Sequence, residues 1–251
     1  MRKKTSQKKI VIVMPAYNAE KTLKKTLDDI PKRLVDDIIL VDDGSNDSTV
    51  KLAKKLGLKT FVHPQNRGYG GNQKTCYTLA LNENADIIVM LHPDYQYDST
   101  LTEEIIRPIL QNRFDVVLGS RIRSRSESLA GGMPLYKYLS NRFLTIIQNI
   151  VLGQNLSEYH TGFRAFDKKV LNMLPFHKFS DDFVFDQDIL VSAIYEKFKI
   201  GEIQVAVRYF PDASSINFHR SVKYGIEILK DLTLFLLAKA GLYTSKIFSK
   251  K

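Results

Sequence analysis

Short apolar runs alternate with amphipathic segments along the first half of the chain. Five runs have the length of β-strands: residues 9–15, 37–41, 58–63, 85–91 and 115–119. The segments between them have the polarity and apolar spacing of helices: residues 19–30, 49–56, 73–82 and 101–111. Strands that alternate with helices in this way predict an α/β fold with a mainly parallel, doubly wound sheet.

The pattern changes after residue 120, where two strongly apolar helices are predicted. Residues 134–152 carry one apolar helical stripe: Leu135, Leu139, Phe143, Ile146, Ile147, Ile150 and Val151. A second such helix is predicted at 222–237. Core packing, a homo-oligomer interface and docking on a bilayer all produce these stripes. We expect core burial for most of their residues.

Composition limits the compartment and the partners. Cys76 is the single cysteine, which excludes an intrachain disulfide or a cysteine zinc cluster. The basic N-terminus lacks a secretory pattern, and the apolar run Leu232–Ala238 is far shorter than the ~20 residues of a spanning helix. We therefore expect a soluble or peripheral protein in the cytoplasm. The net charge of +10 favours anionic partners, yet the basic residues are scattered and match no nucleic-acid-binding motif, so we expect no nucleic acid.

Two of the predicted strands end in carboxylates. IILVDDGSNDST at 38–49 contains Asp42 and Asp43, and IIVMLHPDYQYD at 87–98 contains Asp94. Because the carboxyl ends of parallel strands face the ligand crevice of an open α/β sheet, these residues suggest a site for a nucleotide and its metal. A capped tight turn explains the first acidic end but not the second.

Six motifs occur in an order that resembles one family: MPAYNAEKTL, VDDGSNDST, NRGYGGNQ, HPDYQYD, GSR and TGFRAF. Together they resemble the inverting glycosyltransferases of family 2, which have the GT-A fold, a Rossmann-like sheet. Within that family the chain looks most like the polyprenyl-phosphate (dolichol-phosphate) sugar transferases. The resemblance implies transfer of a sugar from a GDP- or UDP-sugar to a polyprenyl phosphate. A saccharide hydroxyl as acceptor, and a non-catalytic nucleotide-sugar-binding protein, remain as alternatives.

The resemblance also implies the domain organisation. We expect a glycosyltransferase domain over residues 1–223, with a nucleotide-sugar half at about 9–121 and an acceptor half at about 122–223. Residues 224–251 would form an apolar helix and a basic tail, with the protein bound peripherally to the cytoplasmic face of the membrane.

For the donor, the resemblance implies a nucleotide pocket and a loop near the phosphates. The implied residues are Pro15, Ala16, Tyr17, Asn18, Asp42, Asp43, Gly68, Gly70 and Gly71. Asp43 is the preferred nucleotide contact. A plain strand-to-helix connection is the other interpretation of the three glycines.

For the metal, the resemblance implies that Asp94 and Gln96 bind Mg²⁺ or Mn²⁺. The usual Asp-x-Asp pattern is here His92-Pro93-Asp94. Imidazole suits Mn²⁺ better than Mg²⁺, so His92 is either a ligand or a hydrogen-bonded pocket residue.

On the acceptor side, the resemblance implies that Arg121 and Arg164 bind phosphate oxygens. Further candidates for a lipid phosphate are Ser120, Arg208, Ser214, Ser215, Arg220 and Lys223. A phosphate acceptor is already anionic and needs no strong base, whereas a sugar hydroxyl does. Asp186 and Asp188 are the candidates for such a base, or else carboxylates that stabilise a helix N-terminus.

Overall fold

One seven-stranded sheet organises the part of the chain that the computed structural model describes, residues 8–122, 133–206, 218–243 and 245–248. The strands are β1 (Ile10–Ala16), β2 (Asp37–Asp42), β3 (Lys59–Val62), β4 (Ile87–Met90), β5 (Val116–Ser120), β6 (Arg164–Asp167) and β7 (Ile200–Gln204). Their order in the sheet is β3-β2-β1-β4-β6-β5-β7. β6 runs antiparallel to both of its neighbours, and every other pair is parallel. The predicted fold class is confirmed.

Helices cover both faces of this sheet. They are α1 (Leu23–Asp28), α2 (Thr49–Lys55), α3 (Tyr69–Asn82), α4 (Thr102–Leu110), α5 (Leu135–Leu152), α6 (Lys168–Met173), α7 (Phe185–Tyr195) and α8 (Phe218–Lys239). Side chains of β4 alternate between two buried clusters, as the pleat requires. Ile88 and Met90 join the cluster of α3, α6, α7 and α8, whereas Ile87 and Val89 join that of α1, α2 and α4.

Strand β6 joins the two halves of the chain. It follows α5 in sequence but pairs with β4 on one side and β5 on the other. The expected nucleotide and acceptor halves therefore share one sheet. The expected boundary between residues 223 and 224 falls inside α8, which begins at Phe218.

Helix α5 has its polar side toward the protein and its apolar side outward, so the expectation of core burial is wrong for this helix. Its inward side is mostly polar, because its buried residues are Asn141, Thr145, Gln148 and Leu152. The stripe residues Leu135, Leu139, Phe143, Ile146 and Ile150 are exposed, Ile150 to 76%. On α8, in contrast, Ile228, Leu232, Phe235 and Ala238 are buried, while Val222, Ile226, Leu229 and Leu236 remain exposed. A homo-oligomer interface formed by the exposed apolar residues of α5 and α8 stays a prediction.

Within the described ranges, every helix is too short or too polar to cross a bilayer.

Candidate active site

The two acidic strand ends meet at one edge of the sheet. Ala16 of β1 is in register with Asp42 of β2, and Val13 of β1 with Met90 of β4, so the chain leaves all three strands on the same side. The residues beyond these ends line an open cavity of about 710 Å³, here called the outer cavity. Its walls include Pro15, Ala16, Tyr17, Asn18, Asp43, Asn66, Gly68, Asn72, Asp182 and Arg220. Thus the predicted base-pocket residues at the end of β1 and just after it lie together with Asp43.

A smaller cavity of about 210 Å³, the inner cavity, adjoins the outer one. Tyr69, His92, Asp94 and Phe183 line both. The remaining walls of the inner cavity are Gln96, Tyr97, Arg121, Lys137, His160, Gly162, Asp186, Ser221 and Tyr224. A ligand that extends from one cavity into the other therefore passes Asp94.

Asp94 and Gln96 line the inner cavity from the turn after β4. The Gln96 backbone N–H donates to Asp94 Oδ1 at 3.1 Å, which fixes the turn. Among the described residues, no group of three His, Cys, Asp or Glu side chains is placed to hold a metal. One carboxylate and one amide oxygen suffice where substrate phosphates and water complete the shell, which is how Mg²⁺ commonly binds. The donor set fits a divalent ion that arrives with a diphosphate.

His92 lies in an aromatic stack between the two cavities. Its ring is parallel to that of Tyr69, with centroids 5.4 Å apart, and Tyr69 in turn contacts Phe183 at 4.7 Å. Burial lowers the pKa of His92, so the imidazole is neutral at physiological pH. Its Nε2 lies 3.3 Å from the Tyr69 hydroxyl, which makes His92 a hydrogen-bonded wall residue in this structure. A ligand role for His92 remains a prediction.

The two candidate bases have different surroundings. Asp186 lines the inner cavity, where it accepts hydrogen bonds from the Tyr69 hydroxyl at 2.7 Å and from Gln73 Nε2 at 3.0 Å. Asp188 lines neither cavity; it accepts from the Ser180 N–H at 2.8 Å and shares a hydrogen bond with Asp231 of α8. Asp188 is therefore not placed as a base for either cavity, and Asp186 remains the candidate base.

Arg164 also requires a correction, because it does not reach either cavity. Its guanidinium is fully buried and donates to the backbone oxygens of Thr161 at 2.7 Å, Asp186 at 2.7 Å and Tyr159 at 3.1 Å. These bonds hold the turn before β6 against the start of α7. Arg164 thus positions Asp186 rather than binding phosphate.

Arg121 does face the inner cavity, held by an ion pair with the buried Glu158. Its Nε donates to Glu158 Oε1 at 2.9 Å, and its backbone N–H donates to Oε2 at 2.8 Å. Burial opposes ionisation of Glu158, but the charge and hydrogen bonds of Arg121 outweigh it and lower the pKa of that carboxyl. The guanidinium is therefore fixed in place with its charge already neutralised.

Asp42 and Asp43 are adjacent in sequence but differ in position. Asp42 is fully buried, and its Oδ1 accepts from the backbone N–H groups of Gly44 and Ser45, so it closes the turn and lies off the cavity wall. Asp43 lines the outer cavity, is paired with His63 at 2.8 Å, and accepts from the backbone N–H groups of Arg67 at 2.8 Å and Gly68 at 3.1 Å. The structure separates the turn-capping carboxylate from the one that lines the outer cavity.

The three glycines of the predicted phosphate loop serve a packing role. The N–H groups of Gly70 and Gly71 donate to the Asp181 backbone oxygen at 2.8 and 3.3 Å. A Cβ at Gly68 would lie 2.7 Å from that oxygen, and one at Gly70 would overlap the backbone of Ser180. The glycines let the segment before α7 approach α3, so the amides of Gly70 and Gly71 are not offered to a phosphate.

The described members of the predicted lipid-phosphate set do not all lie together: Ser120 lies apart from Arg220 and Lys223. Ser120 is buried and bonds to Ser157, Arg220 lies over the Phe183 ring at the outer cavity, and Lys223 pairs with Asp182 at 2.8 Å. Arg208, Ser214 and Ser215 lie outside the described residues.

Sequence reasoning missed several residues that the structure brings to the site: His63, Tyr69, Lys137, Glu158, His160 and Tyr224. His63 follows β3, so the strand-end rule that found Asp43 also applies to it. Lys137 and Tyr224 belong to segments interpreted only through their apolar stripes.

An apolar groove of about 350 Å³ between α5 and α8 continues from the inner cavity. Its walls include Tyr136, Phe143, Leu144, Val222, Ile226 and Leu229. Lys137, His160, Ser221 and Tyr224 line both spaces. His160 is held by Gln148 at 3.1 Å and Tyr224 at 3.2 Å, and burial lowers its pKa to about 4, so it is a neutral residue at the junction.

A mainly parallel sheet with acidic strand ends at paired cavities is the architecture of the GT-A glycosyltransferases. Residues 11–174 match the family model for glycosyl transferase family 2. The chain belongs to glycosyl transferase family 2 and is a glycosyltransferase, as the motifs predicted.

Relatives and solved structures agree with this assignment. An uncharacterised protein of Methanocaldococcus jannaschii is 31% identical, with 80% of this chain and 82% of that protein covered. The UDP-N-acetylglucosamine–dolichyl-phosphate N-acetylglucosaminyltransferase of Methanococcus voltae is 30% identical, with 81% and 87% covered. The fold resembles glucosyl-3-phosphoglycerate synthase from Mycobacterium tuberculosis in complex with UDP, with a TM-score of 0.70 at 20% identity over 95% of this chain and 82% of that one.

Proposed function

We propose that this glycosyltransferase moves a sugar from a nucleoside-diphosphate sugar to a polyprenyl phosphate, with inversion at the anomeric carbon. The observation that carries the proposal is the apolar groove that opens from the polar inner cavity. A polyprenyl phosphate has one anionic end and a long apolar chain, and this pair of spaces matches both parts. The relative from Methanococcus voltae, named for a dolichyl-phosphate acceptor, supports the same acceptor class.

The outer cavity is the proposed place of the nucleotide. Tyr17 and Asn18 offer a ring and an amide to a base, and Asp43 offers a carboxylate to ribose or base N–H groups. The relative named for a UDP-sugar makes uridine diphosphate the first donor to test, with GDP-sugars beside it. The diphosphate then lies near Asp94, where the two cavities meet.

The reaction needs charge stabilisation more than proton transfer. A phosphate oxygen of the acceptor attacks the anomeric carbon, the new C–O bond forms, and the bond to the diphosphate breaks with its electron pair on the leaving oxygen. Asp94 and Gln96 would hold a divalent ion, which stabilises the charge of the leaving diphosphate. Arg121 faces the same space. Asp186, which also lines the inner cavity, would accept a hydrogen bond from the sugar.

We also propose that the protein works at the cytoplasmic face of a membrane, bound peripherally. The outward-facing apolar side of α5 supports this, because it forms an apolar surface beside the groove that would hold the lipid.

Transfer of radiolabel tests the proposal. Wild type is incubated with UDP- and GDP-sugars, undecaprenyl phosphate and Mn²⁺ or Mg²⁺, and label is counted after extraction into organic solvent. We expect metal-dependent lipid label that Asp94→Ala lowers by about 100-fold or more. Asp28→Ala, the same change at an exposed carboxylate of α1, serves as the control and keeps full activity.

Other outcomes point elsewhere. Label that stays in water on a saccharide would favour a hydroxyl acceptor, with Asp186 as its base. Lipid label that survives complete removal of divalent metal would contradict the metal role of Asp94.

A further inference from the structure

We propose that Lys137 binds the phosphate of the lipid acceptor at the junction between the inner cavity and the apolar groove. This inference rests on the proposed function and assigns its acceptor-phosphate site to a residue outside the predicted cluster.

The position of Lys137 is the first argument. Lys137 lies in the first turn of α5, is half-buried, and lines both the inner cavity and the groove. It does not line the outer cavity, where the nucleotide is proposed to bind. A phosphate bound here directs an oxygen toward the sugar side while its alkyl chain follows the groove.

The charges of the inner cavity are the second argument. Arg121 and Lys137 both face this space, but only Arg121 has a buried carboxylate, Glu158, as its partner. In the described part of the chain no hydrogen bond or ion pair involves the Lys137 ammonium, and burial together with Arg121 lowers its pKa. An anion at the junction would neutralise this charge and restore the ordinary pKa, which favours binding.

The start of α5 reinforces the preference for an anion. The first turn of this 18-residue helix contains no acidic side chain, and Pro134 provides no side-chain cap. The helix dipole therefore adds positive potential near Lys137. On the opposite side, Ser221 and Tyr224 of α8 bring hydroxyl groups to the same junction.

Lys137→Met tests the inference, because it keeps the length and apolar stem of the side chain and removes only the charge. We expect the KM for undecaprenyl phosphate to rise about tenfold or more, while the dissociation constant for UDP changes less than about twofold. Lys137→Arg should recover most of the acceptor affinity. Lys230→Met, the same change at an exposed position of α8, is the matched control and should behave as wild type.

A binding measurement separates this inference from the reaction itself. Calorimetry without donor compares farnesyl phosphate with farnesol, which has the same chain and no phosphate. Wild type should prefer farnesyl phosphate, and Lys137→Met should lose most of that preference while binding farnesol unchanged.

Each contrary result has a distinct meaning. If wild type makes lipid-linked sugar and Lys137→Met has the wild-type KM, the assignment of Lys137 is wrong while the proposed function stands. Equal losses in UDP and acceptor affinity would place Lys137 at the donor diphosphate and also overturn the assignment. If wild type forms no lipid-linked sugar and does not distinguish farnesyl phosphate from farnesol, both proposals fail.

Discussion

Single side chains near the inner cavity are distinguished by the partners they already have. Asp186 and Asp188 stand two positions apart at the start of α7, and such residues point in nearly opposite directions from a helix. One therefore reaches the cavity with Tyr69 and Gln73, and the other reaches α8. The charge pattern of the sequence is the same for both, so only their orientation separates a candidate functional carboxylate from a packing one.

Tyr69 is expected to position Asp186. Its hydroxyl donates to Asp186 and lies near His92, while its ring stacks between His92 and Phe183. Tyr69→Phe keeps the stack and removes the hydroxyl, so we expect kcat to fall about tenfold with little change in the KM for the donor. Steady-state kinetics with the labelled donor give both constants.

Tyr195→Phe is the control for this change, because Tyr195 packs against Phe235 and Phe248 away from the cavities. It should leave kcat unchanged. A Tyr69→Phe enzyme with wild-type kcat would show that the hydroxyl does not influence the reaction.

Between helices, the buried contact of α7 with α8 contains two carboxyl groups. Burial and the neighbouring Asp188 raise the pKa of Asp231 from 3.8 to about 8, and Asp231 Oδ2 has no hydrogen-bond donor in the described structure. At pH values between 3.8 and about 8, Asp231 keeps its proton in the folded protein and releases it in the unfolded chain. The free energy of unfolding therefore falls as pH rises from about 4 to about 8.

Asp231→Asn should remove this loss of stability, because the amide stays neutral and can donate to Asp188. We expect the variant to exceed wild type by about 1 to 3 kcal/mol at pH 8 and to match it near pH 4. Thermal unfolding at both pH values measures the difference. Asp28→Asn, at an exposed carboxylate, is the control. If the free energy of unfolding falls equally with pH in wild type and in Asp231→Asn, the raised pKa of Asp231 is contradicted.

The sequence predicts the first five strands, and Asp43 and Asp94 after two of them, because apolar runs and strand-end carboxylates are local signals. It does not predict the parallel strand β7. It misses β6, whose four residues include only Ala165 and Phe166 as apolar positions. The charge of Arg164 suggests phosphate binding, but its guanidinium donates to backbone oxygens of the turn just before it and of Asp186 in α7, and the sequence does not show these contacts. The stripe of α5 is visible in the sequence, while the side that it faces depends on tertiary packing.

The molecule carries a net charge of +10 and an exposed apolar face on α5 and α8, a combination typical of peripheral membrane binding. We expect wild type to sediment with vesicles that contain phosphatidylglycerol. Phe143→Ser with Ile150→Ser should weaken this binding about tenfold or more, with no loss in Tm, because both side chains are mostly exposed in the protein alone.

Leu110→Ser, at an exposed apolar position of α4, is the control and should keep wild-type vesicle binding. Destabilisation of the double variant would mean that another protein surface covers α5. Unchanged vesicle binding would mean that the membrane contacts a different face.

The insertion of β6 between β4 and β5 has a consequence for synthesis on the ribosome. β5 ends at Ser120 and β6 at Asp167, so the first five strands are complete while the position between β4 and β5 is still unfilled. At the usual rates of translation the missing strand follows roughly 2 to 9 s later. During that interval both neighbours expose unpaired backbone groups that attract other nascent chains. We therefore expect chaperones to bind the nascent protein until residue 167 has emerged.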